Sequence, residues 1–272
     1  MAINIVETAE RIIAAQQSRC PVDKLIDEAD GPTKADAFRA QEEVIRRRVA
    51  AGDAVAGFKL GNIAKAMQTK FGVDEPDYGY LLASQFRPEN LTITADEFIE
   101  PFVEVEPAFV LHKDVGGPHV TAVDIMAATD FVVPALEIID SRVRNWNIGI
   151  YDTLADCGSS GAVIVGGCPR KLSEVNLADT PGEVRFDDEV KATGNTNAVY
   201  GNPIGALAWL CRRIAEYDVT LKAGQLILPG SILAAEKLVP GHRITGSFAG
   251  WGEVSFEYAA AADSHLDPIA AR

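Results

Sequence analysis

The chain of 272 residues is 47% hydrophobic, enough apolar material to fill one large domain or two small ones and too much for a disordered chain. Asp and Glu total 39 against 25 Lys and Arg, and the net charge of −14, with no basic run to reverse it locally, argues against nucleic acid and anionic membrane surfaces as partners. Apolar stretches such as 131–136 fall far short of the roughly 20 residues a membrane-spanning helix needs, and residues 1–17 carry Glu7, Glu10 and Arg11 where a secretory signal has a basic start and an apolar block, so the expected compartment is the cytoplasm.

The first fifty or so residues read as helical. Ile5, Ala9, Ile12 and Ile13 recur at helical spacing, and a second segment opens at Thr33, with Asp36 three residues on as a variant capping box before Phe38, Val44, Ile45 and Val49. Gly52 ends it. From residue 56 the pattern turns to short Val/Ile/Phe-rich runs broken by Gly, Pro and Asp, which predicts strands over 54–60, 102–111, 131–139, 161–165, 226–228, 242–248 and 252–258. Two helices interrupt them, 122–129 with Thr121 as cap and 203–217 with Asn202 as N-cap and Pro203 in the first turn. Strands and helices do not alternate regularly, so the expected fold class is α+β and not a doubly wound parallel sheet. The expected organisation is a helical N-terminal segment over 1–55, a β-rich catalytic domain over 56–258 and a tail over 259–272.

Cys20, Cys157, Cys168 and Cys211 lie far apart with no C-x-x-C motif and read as free buried thiols, and His112, His119, His242 and His265 are not at metal-ligand spacing. Acids are more informative. In the strand pattern of 102–111, Val103, Val105, Phe109 and Leu111 line one face, while Glu104 and Glu106 share the other with Phe102, Ala108 and Val110. Two carboxylates on an otherwise apolar face need a cation; on an open face they would be a solvated edge. Glu137 stands alone in a run that is apolar on both faces, with Arg142 or Arg144 as alternative partners. Three carboxylates without Cys or His suit a hard cation, Mg²⁺ or Mn²⁺. Lys59, between glycines in an apolar segment, is either desolvated with a lowered pKa and available for acid–base work, or a surface lysine that snorkels. Residues 74–79 read as an acidic turn, and the small residues Gly158-Ser159-Ser160-Gly161 and Gly230-Ser231 can offer donors to an anion. The spacings of a nucleophile elbow, a dinucleotide-binding turn and a P-loop are missing.

The ordered set Gly57-Phe58-Lys59-Leu60-Gly61, Pro76-Asp77-Tyr78-Gly79, Glu104-Val105-Glu106, 133–142 through Glu137, 152–156, Ser159-Ser160-Gly161 and Gly230-Ser231 resembles the 2-keto-4-pentenoate hydratase and 4-oxalocrotonate decarboxylase family of the fumarylacetoacetase superfamily. The resemblance covers nearly the whole chain. It implies a fumarylacetoacetase-like mixed β-roll or sandwich with flanking helices, and a homo-oligomer that can associate with a partner pathway enzyme. Glu104, Glu106 and Glu137 match the family's divalent-metal ligands, Lys59 its active-site lysine, Asp77 its loop acid, and Ser160 and Ser231 its substrate-carboxylate contacts. The implied activity is a metal-dependent hydro-lyase of aromatic meta-cleavage catabolism, converting a 2-hydroxy-2,4-dienoate or 2-oxo-4-enoate to a 4-hydroxy-2-oxo acid. Chelation of the C1 carboxylate and C2 oxygen by Mg²⁺ stabilises an enolate and permits water addition at C4, with Lys59 and Asp77 moving protons.

Phe58, Asn62, Pro107, Cys157-Gly158, Asn202 and Pro229 depart from the family's usual residues, around the substrate and not among the acids. The alternative reactions are decarboxylation of a 4-oxalocrotonate-type 2-oxo diacid, and hydrolytic C–C cleavage, which needs a His-Glu base that this chain, with no histidine before His112, does not offer. A non-catalytic partner subunit is the alternative outside enzymology.

Overall fold

The computed structural model describes residues 3–27, 31–73 and 75–261. Most of the tail expected over 259–272 therefore lies outside the described residues. In chain order the elements are α1 (Ile5–Ser18), α2 (Lys34–Ala50), β1 (Val55–Gly61), α3 (Lys65–Phe71), β2 (Asp77–Leu82), β3 (Phe86–Pro88), β4 (Thr92–Thr94), β5 (Phe102–Leu111), α4 (Ala122–Ala128), β6 (Thr129–Ile139), α5 (Ile150–Ala155), β7 (Ser160–Val165), β8 (Pro181–Phe186), β9 (Glu189–Asn195), α6 (Pro203–Ile214), β10 (Leu226–Leu228), β11 (Glu236–Lys237), β12 (His242–Phe248) and β13 (Gly252–Ala259).

Helix starts follow their capping residues. Thr33 accepts from the Asp36 amide while the Asp36 carboxylate accepts from the Thr33 amide, so the capping box forms as expected. Asn202 accepts from the Ile204 amide at 3.0 Å, which gives this departure from the family's usual residue a structural role. The helix expected over 203–217 turns 3₁₀ over its last three residues, Ala215–Tyr217. Residues 74–79 are not simply a turn: β2 begins at Asp77 and runs antiparallel to β1, with Gly79 opposite Lys59.

The strands form two sheets. The larger has eight strands in the order β2-β1-β10-β5-β6-β7-β3, with β11 added to β5, and the smaller has five in the order β4-β13-β12-β8-β9. Most pairs are antiparallel; β1 with β10, β3 with β7 and β4 with β13 are parallel. One face of β5 and β6, carrying Val103, Val105, Leu136 and Ile138, shares a core with Val184, Ile244 and Phe256 of the smaller sheet. Ile12 of α1 and Phe38 of α2 belong to that same core with Phe58 and Tyr78, so residue 55 marks a change of secondary structure and not a gap in packing. The opposite face of the large sheet holds Leu81, Ala108, Ala135, Val163, Leu226 and Leu228, and the charged groups sit among them. Pro107, which has no amide hydrogen, stands between the stretch of β5 paired with β10 and the stretch paired with β11. The chain from Pro229 to Leu233 crosses this gap.

Candidate metal and active site

Antiparallel register sets Glu104 of β5 opposite Glu137 of β6, and alternation brings Glu106 to the same face two residues on. All three carboxylates are buried, and each offers an oxygen within 4.8 Å of the others'. Gly230, in the gap opened at Pro107, donates its N–H to Glu106 Oε2 at 2.7 Å. Glu106 Oε1 and both oxygens of Glu137 have no hydrogen-bond partner. Burial raises the pKa of all three. Glu137 and Glu104 push Glu106 further up, while Lys59 opposes the rise at Glu137 and at Glu104, which still reaches about 8. Buried oxygens in mutual repulsion and without donors fit a site for a hard divalent cation, whose charge would relieve both deficits.

Lys59 lies on β1, between β2 and β10, and is 2% exposed, which removes the snorkelling alternative. Its Nζ is 3.5 Å from Glu137 Oε2 and donates to the Gly158 carbonyl at 2.7 Å. Burial alone would lower its pKa, as the sequence suggests, but Glu137, then Asp77, Glu104 and Glu106, hold it above the ordinary lysine range. The expectation of a lowered pKa is therefore corrected: four acids from three strands surround this ammonium. Asp77 is buried beside it, with Oδ2 accepting from Asn62 Nδ2 at 2.7 Å and Oδ1 without a partner; its pKa is raised by burial and pulled back by Lys59. Asn62 has a left-handed φ of 54°, which Asn tolerates well, so this departure both turns the chain after Gly61 and holds Asp77.

Arg142 and Arg144 do not partner Glu137. The Arg142 guanidinium is buried against Asp156, with Nε 2.5 Å from Oδ1, and also donates to the carbonyls of Asp140, Asp156 and Ser160; Arg144 reaches Asp23 at the surface. Arg142 thereby braces a turn in which Cys157, Gly158 and Ser159 are all left-handed, with φ of 52°, 61° and 57°. That turn presents the Gly158 carbonyl to Lys59. A Cβ on Gly158 would lie 2.9 Å from Asp77 Oδ1 and 3.0 Å from Lys59 Nζ, and one on Gly61 only 2.3 Å from Asp77 Oδ1, so both positions must be glycine for the two charged groups to meet.

Lys59, Asp77 and Glu104 open into a cavity whose further walls are Gly61, Asn62, Met67, Phe71, Ile139, Trp146, Ile148, Thr153, Gly158 and Ser159. Ser159, not Ser160, faces it. The Ser160 hydroxyl accepts from Gln85 Nε2 at 3.3 Å. Ser231 is turned to Leu233, donating to its carbonyl at 2.8 Å, and so fixes the turn that carries Gly230. Met67, Phe71, Trp146 and Ile148 had no sequence signal as site residues: α3 is a single short helix, and 144–149 looks like ordinary loop. Of the cysteines, Cys157 and Cys211 are buried free thiols as expected, whereas Cys20 is exposed and Cys168 half-buried.

No family model matches the chain. Among curated proteins it is 35% identical over 256 residues to a 2-oxo-hept-4-ene-1,7-dioate hydratase of Escherichia coli, covering 92% of this chain and 96% of the relative. It is 36% identical over 223 residues to a 2-keto-4-pentenoate hydratase of Dechloromonas aromatica (strain RCB), covering 82% and 85%. Among solved structures, 4-oxalocrotonate decarboxylase from Pseudomonas putida G7, complexed with magnesium and adipate, superposes with a TM-score of 0.89 at 32% identity over 93% of this chain and 97% of that one. A fumarylpyruvate hydrolase from Pseudomonas aeruginosa, with a TM-score of 0.57 at 15% identity over 75% and 89%, shares the fold.

Proposed function

The chain belongs to the 2-keto-4-pentenoate hydratase and 4-oxalocrotonate decarboxylase family, and from that premise we propose that it is a divalent-metal-dependent hydro-lyase adding water to a 2-hydroxy-2,4-dienoate or its 2-oxo-4-enoate tautomer in aromatic meta-cleavage catabolism. The observation that carries the reading is the buried group Glu104, Glu106 and Glu137, with carboxylate oxygens that lack donors. These three residues hold the divalent cation, Mg²⁺ or Mn²⁺, a reading supported by the magnesium complex of the decarboxylase neighbour. When bound, the cation supplies positive charge for the substrate's carboxylate and C2 oxygen and so favours build-up of negative charge on that oxygen.

The chain's own groups do the rest. The Gly230 N–H fixes the Glu106 carboxylate. Lys59, kept protonated by its acidic neighbours, provides a proton at Nζ beside the same oxygens. Asp77 Oδ1, unpartnered and aimed beside Lys59, takes and returns the proton that moves between the C2 hydroxyl and the carbon chain. Ser159, the serine that faces the cavity, is the hydroxyl available to the substrate carboxylate, and Ser231 serves that end only through the turn it holds. The cavity opens to solvent, which can supply the water that adds at C4. Decarboxylation of a 2-oxo diacid is the second reading, favoured by the 32% identity to the decarboxylase, and would use the same groups up to the charged oxygen.

The test is product analysis by NMR after EDTA-stripped protein meets 2-hydroxypenta-2,4-dienoate or 4-oxalocrotonate, with and without Mg²⁺. Metal-dependent 4-hydroxy-2-oxopentanoate is expected. Metal-dependent CO₂ release from the diacid, without hydration of the dienoate, would replace the hydratase by the decarboxylase, and inactivity on both would end both readings.

A further inference from the structure

We infer that the cavity selects substrates whose far end is uncharged and apolar, and that Met67, Phe71, Trp146 and Ile148 make this selection by rejecting a second carboxylate. The inference rests on the reading of the site as one for 2-oxo acids, and it separates this chain from relatives and neighbours that act on diacids.

A 2-oxo acid held by its carboxylate and C2 oxygen at the charged end leaves its remaining carbons to the rest of the cavity. There the wall is Met67, Phe71, Ile139, Trp146 and Ile148. Among the described residues, Lys59 is the one cation in the lining, and it is already committed to Glu137 and the Gly158 carbonyl. The neutral polar side chains are also engaged: Asn62 donates to Asp77, Thr153 to the Ile150 carbonyl at 3.1 Å, and Ser159 lies 3.5 Å from Asp156 Oδ2. Lys70 and Lys237 stand over the ring of Phe102, which is not part of the lining, and Lys237 is held by Glu100 at 2.7 Å. A second carboxylate against this wall would find no free side-chain donor in the lining, lose part of its hydration to apolar surface, and be repelled by Asp77 and Glu104.

The wall is itself a built feature. Asn145 and Trp146 are both left-handed, with φ of 55° and 53°; Asn tolerates this conformation, but a bulky Trp in it is strained. Strain of this kind persists only where surroundings hold it, and here Trp146 Nε1 donates to the Glu100 carbonyl at 3.0 Å while the indole stacks on Phe71 at 4.5 Å. The backbone distortion thus brings an aromatic surface to the cavity.

Calorimetry of the Mg²⁺-loaded protein with 2-oxohexanoate and 2-oxohexanedioate, equal in length and different only at the far end, tests the inference. The monoacid is expected to bind at least about thirtyfold more tightly, and Ile148→Arg, with Met67→Arg as an independent second variant, should narrow that ratio at least about tenfold. Equal or tighter binding of the diacid by the unaltered protein overturns the inference, as do two folded variants that leave the ratio unchanged. Decarboxylation of 4-oxalocrotonate with a kcat/KM within tenfold of that for dienoate hydration overturns it too. Failure to hydrate any dienoate would instead sink the hydratase reading, while the calorimetric ratio would still decide the preference.

Discussion

Strands β5 and β13 are built on the same pattern: Glu104 and Glu106 alternate with Val103 and Val105 in one, Glu253 and Glu257 with Val254, Phe256 and Tyr258 in the other. On β13 the acids face outward and are answered by Arg185 at 3.4 Å and Arg243 at 2.8 Å, all of them at least a third exposed. On β5 they face inward, at 3% and 0% exposure, and meet a third acid, with Lys59 as the cation at hand. Alternation alone reveals which residues share a face. What covers that face decides whether a charge is solvated ornament on a sheet or the makings of a reaction site.

Breaking a charge pair on each side sharpens the contrast. Arg142→Ala leaves Asp156 buried and unpaired, and should cost about 3–5 kcal/mol in denaturant unfolding, with a loss of activity because the 157–159 turn loses its brace. Removing a buried acid should separate stability from function: Glu106→Gln is expected to reduce metal-dependent turnover more than about 100-fold. In the same variant the metal-free protein should melt at a higher temperature, since a neutral amide removes the cost of either protonating this carboxyl or burying it charged beside two other acids. A lower melting temperature in the absence of metal would show that the three acids are not in conflict.

Acid titration gives a third, smaller contrast. The Glu104 carboxyl, raised by burial to about 8, lies above its value in the unfolded chain, so the folded protein holds the extra proton. Its contribution to stability is complete below the unfolded pKa and is lost as pH rises toward 8, and the metal-free protein should therefore weaken between pH 5 and pH 8. Mg²⁺ at about 100 times its Kd should add about 2.7 kcal/mol and flatten that slope, which thermal melts at several pH values would detect. A slope unaffected by Mg²⁺ would place its origin elsewhere. At the other extreme, Arg243→Ala on the solvated sheet should change stability by no more than about 1 kcal/mol.

Alternation in β5 and unbroken apolar runs in β6 and β10 made these strands legible from sequence, and the capping residues Thr33, Thr121 and Asn202 located three helix starts. β8 and β9 were missed because their exposed positions, among them Arg185, Glu189 and Lys191, dilute the apolar signal of an edge region. β2 was hidden by Pro76 and Gly79, which read as turn residues although Gly79 lies in a paired strand. The three acids stood out because a lone carboxylate in an apolar run is anomalous. The reversed direction of the Lys59 shift, the Arg142–Asp156 pair and the aromatic wall could not stand out, since each joins residues 14 or more positions apart whose local patterns are ordinary.

The lack of room for a side chain at Gly61 and Gly158 bears on how such a chain can diverge. Neither residue carries a functional group, yet a single methyl at either would press on Asp77 and disturb its approach to Lys59. In a library of random substitutions these two silent positions should be as intolerant as the acids and the lysine, while Ile148, at the cavity's far end, should accept many replacements that alter preference without abolishing turnover. The lineage would then be free to explore new substrates at one end of the site and immobile at the other, and the immobility would be written partly in residues that take no chemical part.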